Sequence, residues 1–158
     1  MAGSDTTAIT LRACFYYLMK NPAALAKCHA EIDAASASLS SPIQYAETKT
    51  YLPYVCASIK EAMRMFPSIP FSFPRRTPKD GIELCGTYIP AGCRVGINPM
   101  VIQYDKGVFG DDAEVFRPER WLVDEEKVKE MDKAMLLFGT GKRTCIGKNV
   151  SPQIHLPY

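Results

Sequence analysis

Residues Phe138 to Asn149 read FGTGKRTCIGKN, with three glycines, three basic residues and one cysteine in twelve positions. Such a loop suits three chemistries: a cradle for phosphate, a reactive thiol, or a ligand to a metal. A P-loop cradle needs G-x-x-x-x-G-K-[ST] between a strand and a helix. Here Gly141-Lys142 is followed by Arg143, and the position five before Gly141 is Leu136. The first tight turn and the cation-binding hydroxyl are therefore both missing. A nucleophilic cysteine needs a base, usually histidine. The chain has only His29, beside Cys28, and His155, in the tail. Zinc fits no better, because no second cysteine lies at ligand spacing from Cys145.

The rest of the composition narrows the classes. The 158 residues are 47% hydrophobic and 23% charged, ordinary for one globular domain. A net charge of +2 gives no electrostatic reason to expect nucleic acid as a partner. No apolar run approaches the ~18 residues that span a bilayer. The start, MAGSDTTAIT, has neither the basic nor the apolar region of a signal peptide. Six cysteines without a C-x-x-C pair are too sparse for a disulfide scaffold, which points to a reducing compartment. Five of them sit among apolar neighbours and read as small core residues. Cys145 sits among glycines and cations instead.

The pattern predicts a helix over 2–20, ended by Asn21-Pro22, and a second from Pro22 to about Ser38. SLSSP reads as a loop. Residues 52–66 form the clearest helix, with Leu52, Val55, Cys56, Ile59, Met63 and Phe66 on an apolar stripe and Glu61 and Arg64 opposite it. Pro67 stops it. PSIPFSFPRRTP is extended, and IELCGTYIPAG and CRVGIN are short strands around a turn. Residues 124–134 form a short helix or a meander, and a further helix begins after Cys145. The fold class is mainly α with a small β-sheet.

For Cys145 a fourth role meets the residues one by one: a single thiolate ligand to haem iron. A loop passing close beneath a flat macrocycle needs residues without side chains, and Gly139, Gly141 and Gly147 supply them. Backbone N–H groups favour the thiolate form. Arg143 is placed to pair with a propionate, and Phe138 to shield the sulfur. Phe138 to Gly147 also matches F-x-x-G-x-R-x-C-x-G at every defined position. The chain thus resembles the cytochrome P450 family, with Cys145 as the axial ligand and Phe138, Gly139, Ile146 and Gly147 around the cofactor.

Three further stretches carry the resemblance in the family's order. Glu61-x-x-Arg64 resembles the E-x-x-R element, and Pro118-Glu119-Arg120-Trp121 the P-E-R-[FW] element. In the family these form a buried ion triad, here Glu61, Arg64 and Arg120. Alone, an i, i+3 Glu–Arg pair is usually a solvated face. Ala2-Gly3-Ser4-Asp5-Thr6-Thr7 resembles the oxygen-activation motif, which implies proton delivery by Asp5 and Thr6. Read without the other motifs, S-D-T-T is good helix-capping chemistry. Arg75, or Arg76 in its place, falls where the family often binds the second propionate. Ser68 to Phe73 would line the substrate side, where Ile69, Phe71 and Phe73 favour an apolar substrate. The stretches IKEAMRMFPSIP and FRPERWL resemble fungal microsomal members of the pisatin demethylase type.

The resemblance implies a monooxygenase that hydroxylates or demethylates a small apolar molecule: RH + O2 + two electrons + two protons give ROH + H2O. It implies haem b as cofactor. NADPH acts only through an NADPH–cytochrome P450 reductase, which would dock beside Lys142 and Lys148. It implies the endoplasmic reticulum membrane for the parent family; with no anchor in sight, this chain reads as cytoplasmic or of unassigned location. It covers 2 to about 151 and reads as one incomplete domain across 1–158, starting inside the long central helix. The tail SPQIHLPY carries Pro152, which breaks the helix expected after Cys145. The alternative expectation is therefore a truncated, catalytically inert fragment that holds haem weakly or not at all.

Overall fold

The computed structural model describes residues 2–148. Helix α1 (Ala2–Lys20) runs into α2 (Pro22–Ala35) through Asn21 alone. Proline at the first helical position of α2 has no N–H to lose there. A 3-10 turn, Ser36–Ser38, ends that helix. Helix α3 (Tyr45–Tyr51) follows the SLSSP loop. YAETKTY lacks apolar periodicity, so the pattern does not announce this helix. The Glu47 carboxylate holds its start by accepting from the Gln44 amide at 2.9 Å and the Ser40 hydroxyl at 2.8 Å.

Helix α4 (Pro53–Met65) is the axis of the structure. Its first turn is capped from outside: Glu31 of α2 accepts from the amides of Tyr54 at 2.8 Å and Val55 at 2.9 Å. The face it buries differs from the one its apolar stripe predicts. Ala57, Ser58, Glu61, Ala62, Arg64 and Met65 are buried, while Val55, Cys56, Ile59 and Met63 are half-buried and Phe66 is exposed. The charged side faces inward because its charges find partners there.

Two short antiparallel sheets follow α4, where the sequence pattern gave one. Strand β1 (Arg75–Arg76) pairs with β4 (Arg94–Val95), with Arg75 opposite Val95 and Arg76 opposite Arg94. Between them, β2 (Ile82–Leu84) and β3 (Thr87–Ile89) form a hairpin. IELCGTYI is therefore two strands and not one. It folds at Cys85-Gly86, both with positive φ, 50° and 75°. Gly96 lets the outer loop approach, since a Cβ there would stand 3.0 Å from the Phe73 carbonyl oxygen.

Short helices α5 (Pro99–Ile102) and α6 (Lys106–Phe109) lead to a 3-10 turn, Pro118–Trp121, and then to α7 (Glu125–Ala134). Residues 124–134 are thus a helix with Asp124 as its N-cap, accepting from the Lys127 amide at 3.0 Å. Apolar residues gather on both sides of α4. One cluster joins Ala57, Phe109, Ala113, Trp121, Met131 and Ala134. The other joins Cys14, Ala24, Ala62, Met65 and Phe116, with Tyr17 stacked on Phe116 at 5.3 Å. Burial of a side chain such as Met131 or Phe109 stabilises by about 1.5–3 kcal/mol each. Residues 146–148 form a turn and not the start of a helix; the helix expected after Cys145, with Pro152 and His155, otherwise falls outside the described residues.

The cysteines divide by environment. Cys14 and Cys28 are buried, Cys56 and Cys93 half-buried, and Cys85 and Cys145 exposed. Cys85 is therefore not the core residue its neighbours imply; the hairpin turn turns it outward. Burial pushes the Cys14 thiol up to about 12 and raises that of Cys28, so neither forms much thiolate near neutrality. Iodoacetamide at pH 8, read by peptide mass spectrometry, should label Cys145 and Cys85 at least about tenfold faster than Cys14. Equal rates at all six would contradict this packing arrangement.

Candidate functional site

The cysteine loop is set by its own backbone. The Cys145 amide donates to the Phe138 carbonyl at 2.8 Å, and the Gly139 amide to the Leu136 carbonyl at 2.9 Å. A 3-10 turn at Gly141–Arg143 brings the chain round, and the Thr144 hydroxyl donates to the Gly141 carbonyl at 2.8 Å. Gly139 and Gly141 have φ of 66° and 65°, which favours glycine at both. Gly147 is different: its φ is ordinary, and an added Cβ would meet only the Cys145 Sγ, at 3.8 Å. The fold of the described residues does not require a glycine there. Phe138 is half-buried, while Cys145, Arg143, Lys142 and Lys148 are exposed and Ile146 is fully so. The Arg143 guanidinium has no ion-pair partner among the described residues.

Beside this loop lies a cavity of about 410 Å³ that joins Gly139 and Thr140 to Phe73, Arg75, Val95 and Ile97. Its walls are chiefly apolar, with a guanidinium among them. The β1–β4 register explains which arginine it receives. Opposed residues of an antiparallel pair share a face, and successive residues alternate. Arg75 opposes Val95, and both line the cavity; Arg76 lies on the other face, opposite Arg94. Arg75 donates only to the carbonyl of its neighbour Pro74, at 3.0 Å. An apolar slot with the Arg75 guanidinium, edged by Gly96, Gly139 and Thr140 but not by Cys145 itself, fits a flat apolar ring with peripheral carboxylates.

Glu61, Arg64 and Arg120 meet behind this site. Glu61 and Arg64 are completely buried and Arg120 is 2% exposed. Glu61 Oε1 accepts from Arg64 Nη2 and Arg120 Nε, both at 2.9 Å. Oε2 accepts from Arg64 Nε and from the Trp121 indole, both at 2.9 Å. The guanidiniums go on to backbone carbonyls: Arg64 to Gln103 at 2.7 Å and Arg120 to Phe109 at 2.6 Å. One carboxylate does not neutralise two arginines, and Asp112 supplies a second, 3.3 Å from Arg120 Nη1. Burial pulls the Asp112 carboxyl up, but Arg120 and Arg117 outweigh it and hold it below its ordinary 3.8.

Trp121, Gln103 and Asp112 are members that motif reasoning passes over. Trp121 stands next to Arg120 in PERW, which is a signal. Gln103 has none in sequence: it is fully buried, donating from Nε2 to the Arg64 carbonyl at 2.7 Å.

The comparisons then decide the lineage. The family model for cytochrome P450 matches residues 1–153. The chain belongs to the cytochrome P450 family. A cytochrome P450 monooxygenase of Alternaria alternata, ACRTS1, is 49% identical over 153 residues, 96% of this chain and 40% of that protein. The Emericella nidulans cytochrome P450 monooxygenase cicH is 49% identical over 152 residues, 95% of this chain and 30% of that one. A zebra fish cytochrome P450 solved with progesterone superposes with a TM-score of 0.79 at 29% identity, over 96% of this chain and 33% of that one. The chain thus spans 30 to 40% of the length of the curated relatives named here. Mainly helical architecture with small antiparallel sheets is a partial P450 fold. Haem is the cofactor of the family, and its members work with a redox partner on small organic substrates.

Asp5 and Thr6 lie within the first turns of α1, Asp5 exposed and Thr6 half-buried. Ser4 to Thr7 are therefore inside the helix, and the capping reading of S-D-T-T does not describe them. The cavity walls do not include either residue. Thr6 is joined instead to the loop after α4: its carbonyl accepts from Ser68 at 3.0 Å. Among the described residues no helix is long and apolar enough to cross a membrane.

Proposed function

We propose that this P450 chain is the haem-ligand portion of a single monooxygenase domain that inserts oxygen into a small apolar molecule. The observation that carries the reading is the cavity shared by Gly139 of the cysteine loop and Arg75 of β1. When bound there, haem b supplies activation of dioxygen with electrons from NADPH by way of a reductase. The chain's residues do the rest. Cys145 would hold the iron through its sulfur, and Phe138, Gly139, Ile146 and Gly147 would leave the ring a close approach. Arg143 and Arg75 pair with the propionates. Asp5 and Thr6, in the first turns of α1, would hold a water and supply protons for dioxygen reduction. Glu61, Arg64 and Arg120 keep α4 and the 118–121 turn in register beneath. Phe71 and Phe73 favour an apolar substrate, Phe71 being exposed and Phe73 lining the cavity. Lys142 and Lys148, both exposed, attract an acidic face of the reductase. The endoplasmic reticulum membrane, where that reductase resides, is the proposed setting.

The test is the chain with added haem, reduced by dithionite under carbon monoxide. The expected result is a stable, red-shifted Soret band of thiolate type. Its absence would favour the second reading, a P450 segment without catalysis. The exposed apolar residues Phe15, Tyr16 and Met19 on α1 are the observation favouring that reading. A finer test separates the two arginines. Arg75→Ala should weaken haem retention about tenfold, the value of one charge-assisted hydrogen bond. Arg76→Ala should leave it within about twofold, because Arg76 faces away and reaches only the Gly92 carbonyl. Haem-transfer rates to apomyoglobin measure both, and the reverse order would overturn the assignment.

A further inference from the structure

Thr6, Thr10 and Ser68 form a triangle that the motifs do not mention. The Thr6 carbonyl lies 3.0 Å from the Thr10 hydroxyl and 3.0 Å from the Ser68 hydroxyl, and the two hydroxyls are 2.9 Å apart. Three edges share two protons. Either both hydroxyls donate to the carbonyl, or one hydroxyl donates to the other and the second donates to the carbonyl. Thr10 is 4% exposed, so bulk water does not compete freely for these bonds. The contact is long-range: Ser68 reaches back across 62 residues to α1.

The placement of Ser68 is built into its surroundings. It follows Pro67, which is fully buried and ends α4, and it precedes Ile69-Pro70. Pro67 fixes its own φ and Pro70 biases Ile69 toward extended backbone, so the chain on either side of Ser68 has reduced freedom. A helix carbonyl that accepts from its own threonine and from an outside hydroxyl is drawn away from the helix axis. The carbonyl concerned belongs to Thr6, in the turn that also carries Asp5.

We propose that Ser68, with Thr10, is a positioning residue that clasps the Asp5–Thr6 turn of α1 to the loop after α4. This rests on the reading of Asp5 and Thr6 as the proton-delivery pair. The clasp sets where that pair stands relative to the Ser68–Phe73 loop. Opening it lets dioxygen take two electrons and two protons to hydrogen peroxide without inserting oxygen into substrate, the electrons coming from the reductase.

The test uses the full chain with added haem, followed by hydrogen exchange in peptides from the first turns of α1 and from the loop after α4. Ser68→Ala and Thr10→Val should each speed exchange about fivefold in both segments, as expected for one lost hydrogen bond. Ser68→Thr and Thr10→Ser keep the hydroxyls and should restore it. With reductase and NADPH, the share of electrons lost to hydrogen peroxide should rise in Ser68→Ala and return in Ser68→Thr. Exchange that changes only in the loop, or no protection of these turns in the unaltered chain, overturns the clasp. A restored clasp with an unmoved peroxide share overturns its positioning role. A missing thiolate band in the unaltered chain sinks the proposed function, and with it the role in proton delivery, while the exchange data alone still decide the clasp.

Discussion

Cys145→Ser is expected to abolish the red-shifted Soret band of the reduced carbon monoxide complex and to lower oxygen insertion by about a thousandfold or more. The reason is electronic and not steric. A serine oxygen fits the loop, whose shape rests on the Cys145 amide and the glycines at 139 and 141. It does not supply the electron donation with which a thiolate favours O–O cleavage. The loop itself should survive, because the cysteine side chain is exposed and holds nothing else in place. Cys56→Ala, at a half-buried cysteine of α4, is the control and should leave the band in place. The measurement is the reduced carbon monoxide difference spectrum, with product formation followed in the presence of reductase. An unchanged band in Cys145→Ser would remove Cys145 from the site altogether.

The second large effect is on stability. Glu61→Gln preserves the shape of the side chain but leaves Arg64 buried without a counter-charge and Arg120 with only the half-buried Asp112, and it turns an amide N–H₂ toward donors. Breaking a buried pair in this way costs about 3–5 kcal/mol. Typical domains have about 5–15 kcal/mol in total, so the variant should unfold at much lower urea concentration or fail to accumulate. Arg120→Lys should also destabilise, since a single ammonium cannot reach Glu61, the Phe109 carbonyl and the Val115 carbonyl from one position. Arg117→Ala is the contrast. Its guanidinium is exposed and pairs with Asp112 at the rim, so its loss should cost under about 1 kcal/mol. Urea unfolding followed by the fluorescence of Trp121, the only tryptophan, reports on all three. A Glu61→Gln chain within about 1 kcal/mol of the original would show that the triad is dispensable.

The expected stability loss marks the place where pattern reading of α4 goes astray. Its apolar residues fall on a regular stripe, and periodicity assigns that stripe to the core. The structure buries the opposite side more deeply, with Glu61 and Arg64 innermost, while of the stripe only Leu52 is buried. Periodicity scores each side chain by its own transfer cost, whereas a charge is buried or exposed according to its partners. Those partners are Arg120 and Trp121, which bond Glu61 from about 60 residues away, and the Gln103 and Val115 carbonyls, which accept from Arg64. Only the PERW motif hints at any of them, and it carries both Arg120 and Trp121. Cys85 errs in the other direction: apolar neighbours in sequence imply a core position, but they belong to two strands of a hairpin whose turn points Cys85 outward.

What the amino-acid sequence determined by itself was local. The ends of α1 and α4 follow from Asn21-Pro22 and Pro67, because proline cannot extend a helix past its start. The bends of the cysteine loop follow from glycines at positive φ. The match at every defined position of Phe138 to Gly147 was enough to name the family. Tertiary structure alone decided the rest. It chose Arg75 over Arg76 for the cavity, through a strand register that pairs residues about twenty apart. It capped α4 with Glu31 from another helix, and it brought Ser68 onto the Thr6 carbonyl. The physical reason is common to all three. Hydrogen bonds and ion pairs form between groups that the fold brings together, and a linear pattern carries no record of distance through space.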